Sequence, residues 1–177
     1  QNNDKVGVIF FTDRIELFIP PKKGKKHILR IIRELLHIEP VGKKTDIGLA
    51  LEYFNNLIKK RSIAFVLSDF MDRDYEKPLR VTARRHDLVG LHIYDPRERE
   101  LPRMGLLRIA DPESGALRWI DSSVSMYRRQ YREGFEKNEE YMKHHFFRSG
   151  ADVVPIQTDE PYVQKLLQFF KRRSQHR

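Results

Sequence analysis

The chain has 177 residues, enough for one domain with a core, and 40% hydrophobic against 33% charged residues describes a globular protein with a heavily charged surface. The absence of cysteine excludes disulfides, thiolate metal sites and cysteine nucleophiles, and no apolar run approaches the roughly 20 residues that cross a bilayer. A net charge of +9 favours an anionic partner, but the cations fall into three separate groups: Lys22, Lys23, Lys25 and Lys26; Lys59, Lys60 and Arg61; and Lys171, Arg172 and Arg173. Two of these close predicted helices, where cations favour the negative end of the dipole, so they read as solvated helix ends in preference to a nucleic-acid surface. Residues 1–5 are polar and do not resemble a secretory signal, and with no cysteine a cytoplasmic location is expected.

Residues 6–12 predict a strand, Asp13-Arg14 a turn, and residues 15–19 a second strand antiparallel to the first, ended by Pro20-Pro21 and Gly24. Helical spacing of Ile28, Leu29, Ile31, Ile32, Leu35 and Leu36 predicts a helix over 27–36. After a loop over 40–44, Thr45-Asp46 opens a helix with Leu49, Tyr53, Phe54, Leu57 and Ile58 on its buried side. Thr45 reads either as the N-cap of this helix, with Asp46 in the first turn, or as a ligand. Residues 63–67 are too short an apolar run for a helix and read as a buried strand, which ends on Asp69. A helix over 77–85 and a strand over 87–94 follow. Residues 106–110 and 116–120 flank Asp111-Pro112-Glu113-Ser114-Gly115 as a hairpin. Asp121-Ser122-Ser123 starts a long helix over about 124–148, residues 153–156 form the last strand, and Thr158-Asp159-Glu160-Pro161 caps a final helix ending at 172. Strands alternating with helices predict a mainly parallel sheet with helices on both faces.

Five stretches in this order resemble the domain-of-unknown-function 58 family, a bacterial and archaeal group related to the von Willebrand factor type A fold. They are Asp4-Lys5-Val6-Gly7-Val8-Ile9-Phe10-Phe11-Thr12-Asp13, Gly42-Lys43-Lys44-Thr45-Asp46-Ile47, Val66-Leu67-Ser68-Asp69-Phe70, Asp111-Pro112-Glu113-Ser114-Gly115, and Thr158-Asp159-Glu160-Pro161-Tyr162-Val163. The resemblance covers almost the whole chain and implies a single von Willebrand factor A-like (Rossmann-like) α/β domain over 1–177, with an inserted hairpin at about 104–121. It also implies a metal-ion-dependent adhesion site, for which Thr45 matches the family's Thr and Asp69 its final Asp. The Asp-x-Ser-x-Ser element is missing, and Asp121-Ser122-Ser123 follows the wrong strand to replace it. On this resemblance the first β-α unit is expected upstream of Gln1 and the chain reads as a fragment. The apolar strands 6–12 and 63–67 are then left with unpaired edges, through which self-association is expected. Mg²⁺ is expected in the complete protein and weakly or not at all in this chain, since it wants six oxygens and only Thr45 and Asp69 remain.

Other chemistry is less supported. The histidines lack zinc-ligand spacing, and neither a Gly-x-Ser-x-Gly elbow nor a Gly-rich phosphate loop is present. Asp13, Asp72 and Asp95 also follow strands and with Asp69 could serve metal-dependent phosphoryl transfer, though no base or nucleophile is paired with them. Tyr127, Tyr131 and Phe135 repeat every four residues and read as a core stripe of the long helix. The expected function is therefore non-enzymatic protein binding. The resemblance implies a MoxR-type AAA+ ATPase or its client as partner, in chaperone-like remodelling. A nucleic-acid-binding module on the basic clusters and a metal-dependent phosphoryl-transfer enzyme are the alternatives.

Overall fold

The computed structural model describes residues 4–110 and 117–175. The chain falls into two compact units, one of Gln1–Lys59 with Asp72–Pro78 and the other of Lys60–Met71 with Leu79–Arg177.

In the first unit, β1 (Val6–Phe11) and β2 (Ile15–Lys22) form an antiparallel pair. The second strand runs on through Pro20 and Pro21 where the sequence predicted a stop. The two prolines sit at a register shift opposite Gly7, and a Cβ on Gly7 would lie 2.9 Å from the Ile19 carbonyl oxygen and from the Pro21 nitrogen. Pairing therefore tolerates proline here because the partner residue has no side chain and the ladder is already interrupted. Helix α1 (Lys25–His37) has its apolar residues at the predicted spacing, yet buries none of them, and Leu29, Ile32, Leu35 and Leu36 are all exposed. Helix α2 (Ile47–Leu57) buries Ile47, Gly48, Ala50, Leu51 and Asn55. Its inner face is rotated from the predicted one, and Leu57 is exposed.

The second unit is built on a three-stranded parallel sheet, ordered β3 (Ile63–Ser68), β4 (Asp87–Tyr94), β7 (Asp152–Gln157). Helix α5 (Ser125–Ser149) packs Phe146 and Phe135 on the side of Gly90 and His92. Helix α6 (Tyr162–Gln175) packs Phe169 on the other side, with Val89, Leu91, Val154 and Ile156. Helices thus cover both faces, as alternation of strands and helices predicts. Helix α3 (Glu76–Arg85) precedes β4, and α4 (Pro96–Arg99) follows it. β5 (Leu106–Ala110) and β6 (Leu117–Asp121) pair as the predicted hairpin, whose turn lies outside the described residues.

Two expectations change. Among the described residues the strands fall into three sheets: β1-β2 and β5-β6 are antiparallel pairs, and β3-β4-β7 is parallel. Nor is β3 buried. Ile63, Phe65 and Leu67 are 60%, 42% and 56% exposed, while Val89 beside them in β4 is fully buried. The reason is position: β3 is the edge of its sheet, and α6 is centred over β4 and β7.

Candidate functional site

Parallel strands point their carboxyl ends the same way, and ligands of open α/β sheets bind there. In the second unit β3 leaves the sheet at Ser68 and turns at Asp69. The Ser68 hydroxyl donates to Asp69 Oδ1 at 3.3 Å and accepts from the Phe70 amide at 3.1 Å, and Asp69 Oδ1 also accepts from the Met71 amide at 3.2 Å. Phe70 then adopts φ +54°, a conformation costing of order 1–3 kcal/mol for a bulky residue. Burial of its ring offsets that cost: it lies edge-on to Phe146 at 5.3 Å and to His92 at 6.1 Å. Gly90 makes room for the aromatics, since a Cβ there would sit 2.7 Å from the Phe146 ring. The result is a firmly anchored turn that leaves Asp69 exposed.

The surroundings of Asp69 are electronegative. After β4, Asp95 caps α4 by accepting from the Arg97 amide at 2.8 Å, and Glu98 follows on that helix. Burial lifts the Glu98 carboxyl above its ordinary range against a backbone hydrogen bond at Asp95, and the charges of Asp69 and Asp95 lift it further. Burial holds the His92 imidazole below its ordinary value, opposed by the carboxylates of Glu139 and Asp69. Its Nδ1 is buried with no hydrogen-bond partner among the described residues. An exposed carboxylate with a hydroxyl beside it suits a hard cation that keeps most of its water, as Mg²⁺ does. No group of three or more acidic or imidazole side chains converges as a chelating cluster among the described residues.

Thr45 falls in the first unit, exposed on the loop before α2. It is not the N-cap. Asp46 is, in extended conformation, with its carboxylate accepting from the Leu49 amide at 2.7 Å, and Asp72 Oδ2 accepts from the Ile47 amide at 2.7 Å. Two orphan amides of the helix start are thus met by carboxylates, which also suit the positive end of its dipole. Sequence reasoning missed Glu16. Its Oε1 accepts from the Thr12 hydroxyl at 2.7 Å and from the Gly42 and Val41 amides at 2.8 and 3.1 Å. The Gly42 amide, the Thr12 hydroxyl and the Val41 amide hold this carboxyl below its ordinary value, against burial. A Cβ on Gly42 would fall 2.0 Å from Thr12 Oγ1, so glycine lets the loop close on the turn after β1. The lone acid within a predicted strand was the one sequence clue to Glu16.

The carboxylates considered for phosphoryl transfer are engaged locally. Asp13 meets Thr12 and Arg14, Asp72 accepts from the Ile47 and Arg73 amides, and Asp95 is a cap. Asp13 and Asp72 belong to the first unit and Asp95 to the second. Among the basic groups, Arg173 is committed to Asp87 and, at 3.2 Å, to Asp152, and lies over the Phe169 ring. Of the long helix's aromatic stripe, Phe135 is buried, Tyr131 is half-buried and Tyr127 is exposed. Asp121 does not cap that helix; it accepts from the Ser123 amide, while buried Ser122 ties Met104 and Gly105. No helix among the described residues is long and apolar enough to cross a membrane.

Comparison with known proteins places the chain. It is similar to uncharacterized proteins of Mycobacterium bovis and Mycobacterium tuberculosis, each 22% identical over 173 residues, which are 96% of this chain and 54% of the relative. It is also similar to an uncharacterized protein of Mycobacterium avium, 25% identical over 162 residues, 88% of this chain and 93% of the relative. The chain spans about half the length of the first two of these relatives. No solved structure matches it. The sequence model of the family described as "Protein of unknown function DUF58" matches residues 1–141, and the chain belongs to that family.

Proposed function

We propose that this chain is a protein-binding module and not an enzyme, with its contact surface at β3 and the turn that follows. The observation that carries this reading is the exposed apolar strip Ile63, Phe65 and Leu67 running into exposed Asp69. Exposed apolar surface beside a strand-end carboxylate marks interaction sites. In its complete form the module works as a Mg²⁺-dependent adhesion-type site, with Asp69 holding the ion and a MoxR-type AAA+ ATPase or its client as partner. The family resemblance and the electronegative setting of Asp69 support that finer reading. A bound Mg²⁺ would supply an open coordination position for a partner's carboxylate. The test is binding of the full-length protein to a MoxR-type ATPase of the same organism, with Mg²⁺ and with a chelator. The expected result is that Asp69→Ala weakens a Mg²⁺-dependent interaction at least tenfold, about 1.4 kcal/mol, without changing the melting temperature. Binding that survives both the substitution and the chelator rejects the adhesion site. Binding to nucleic acid that falls steeply with salt would replace it with the basic surface.

A further inference from the structure

We infer that an arginine-lined cavity between α4 and the start of α5 is a second contact site, which takes an acidic peptide segment of the protein partner. This rests on the reading of the chain as a protein-binding module and adds the chemistry of what it binds.

The cavity is built by the chain that leaves β4. Asp95 caps α4, which packs against α5, and residues 100–103 then pass the first turns of that helix. Two adjoining hollows of about 450 and 500 Å³ result, with Glu100, Leu101 and Arg128 in the walls of both. Gln157, the last residue of β7, lines one of them. The site therefore lies at the carboxyl ends of β4 and β7, where open α/β sheets bind ligands. Neither wall includes β3 or any residue of the first unit, so the cavity does not depend on what pairs with the β3 edge.

Six arginines line the two hollows against one acid, Glu100. Arg97, Arg99 and Arg103 meet no carboxylate among the described residues. Arg129 and Arg132 have long, exposed pairs, at 3.7 Å to Glu133 and 3.9 Å to Glu100, which neutralise little. Arg128 stands where the hollows join, half-buried, and its Nη1 donates to the Ser122 and Ser123 carbonyls. Those acceptors fix the guanidinium and leave its charge unmatched. Beside it, α5 starts after Val124, which offers no side-chain cap, and the first turn carries no acid. Cations and the positive end of a 25-residue helix dipole thus share one cleft, an arrangement that repels itself until an anion enters.

The walls also select the kind of anion. Arginine presents a planar fork that pairs carboxylates two bonds at a time. Leu101, Pro102 and Met126 suit an apolar side chain set between acids. No aromatic residue lines either hollow, so nucleic-acid bases would find no stacking platform. Glu100, at the join, can accept a peptide amide but repels a run of phosphates.

The test is fluorescence anisotropy of a labelled peptide, Glu-Asp-Leu-Glu-Asp-Leu, with the full-length protein at low salt. It should bind about tenfold or more tighter than Gln-Asn-Leu-Gln-Asn-Leu. Arg97→Glu, Arg103→Glu and Arg129→Glu should each weaken binding about tenfold or more. All three residues are exposed, so the melting temperature should hold. Arg84→Glu, on α3 and outside the cavity, makes the same change of net charge and should weaken binding less than about threefold. Asp69→Ala and a chelator should leave peptide binding unchanged, because carboxylates here meet arginine and not a metal. No binding, equal binding of the uncharged peptide, or an equal loss with Arg84→Glu overturns the site. A hexathymidylate that binds tighter through the same arginines makes it a nucleic-acid site and overturns the peptide. Loss of peptide binding in chelator moves the peptide to the Asp69 turn and overturns the cavity. If the peptide fails while ATPase binding still depends on Asp69, the protein-binding reading stands and only the cavity falls; if neither responds, both fall.

Discussion

β3 and β4 are neighbours in one parallel sheet and share an apolar, strand-forming sequence, but they meet different fates. β4 is paired on both edges and covered on both faces, by α5 over Gly90 and His92 and by α6 over Val89 and Leu91. β3 has one paired edge, and its odd-numbered residues are open to solvent. Composition does not separate them; the number of neighbours does. The core of the second unit is therefore a property of β4, and β3 carries exposed apolar side chains.

The largest break in this contrast comes from the aromatic cover of β4. Phe146→Ala removes a fully buried ring that packs on Phe70 and over Gly90, and should cost about 3–5 kcal/mol in urea unfolding. Gly90→Ala pushes a Cβ to 2.7 Å from the same ring and should cost about 1–3 kcal/mol. Combined with Phe146→Leu it should cost less than the sum, because both changes act on one space. Arg173→Met leaves Asp87 and Asp152 without their shared cation at the start of β4 and β7, and should cost about 1–2 kcal/mol, discounted for partial exposure.

A pH dependence should also trace to β4. Buried His92 has its folded pKa below the ordinary 6.5, so as pH falls through that value the unfolded chain takes a proton first. Stability is then lost on acidification until the folded pKa is reached. Between about pH 7 and pH 5 the melting temperature should fall further for the native chain than for His92→Phe. At the small end, Phe65→Lys on β3 should change unfolding stability by no more than about 0.5 kcal/mol. The same change should weaken binding of the proposed protein partner, so one substitution separates surface from core.

Much of the local structure was legible. The strands at 63–67, 87–94 and 153–156, the hairpin and the long helix all lie within a few residues of their predicted places, because strand and helix periods are local properties. What failed depended on distant partners. The prolines of β2 looked like a stop until Gly7 opposite them was known. Thr45 looked like the cap, but the Asp46 and Asp72 carboxylates take the α2 amides, and Asp72 is brought from 25 residues away. Glu16 was not singled out in the sequence, because the amides of residues 41 and 42 that close on it come from about 25 residues away. For the candidate site, the position of Asp69 at a strand end was readable, but its anchoring through the strained and buried Phe70 was not.

By itself the sequence determined the order of strands and helices, the acid at the end of β3, and membership of the family. These follow from spacing and residue type within a few residues of each position. Only the tertiary structure decided that β3 is an edge and β4 is not, that the strands divide among separate sheets, and that α1 buries none of its apolar residues. An apolar run drives a strand to be covered, but which edge finds a partner is settled by pairings between residues far apart in the chain.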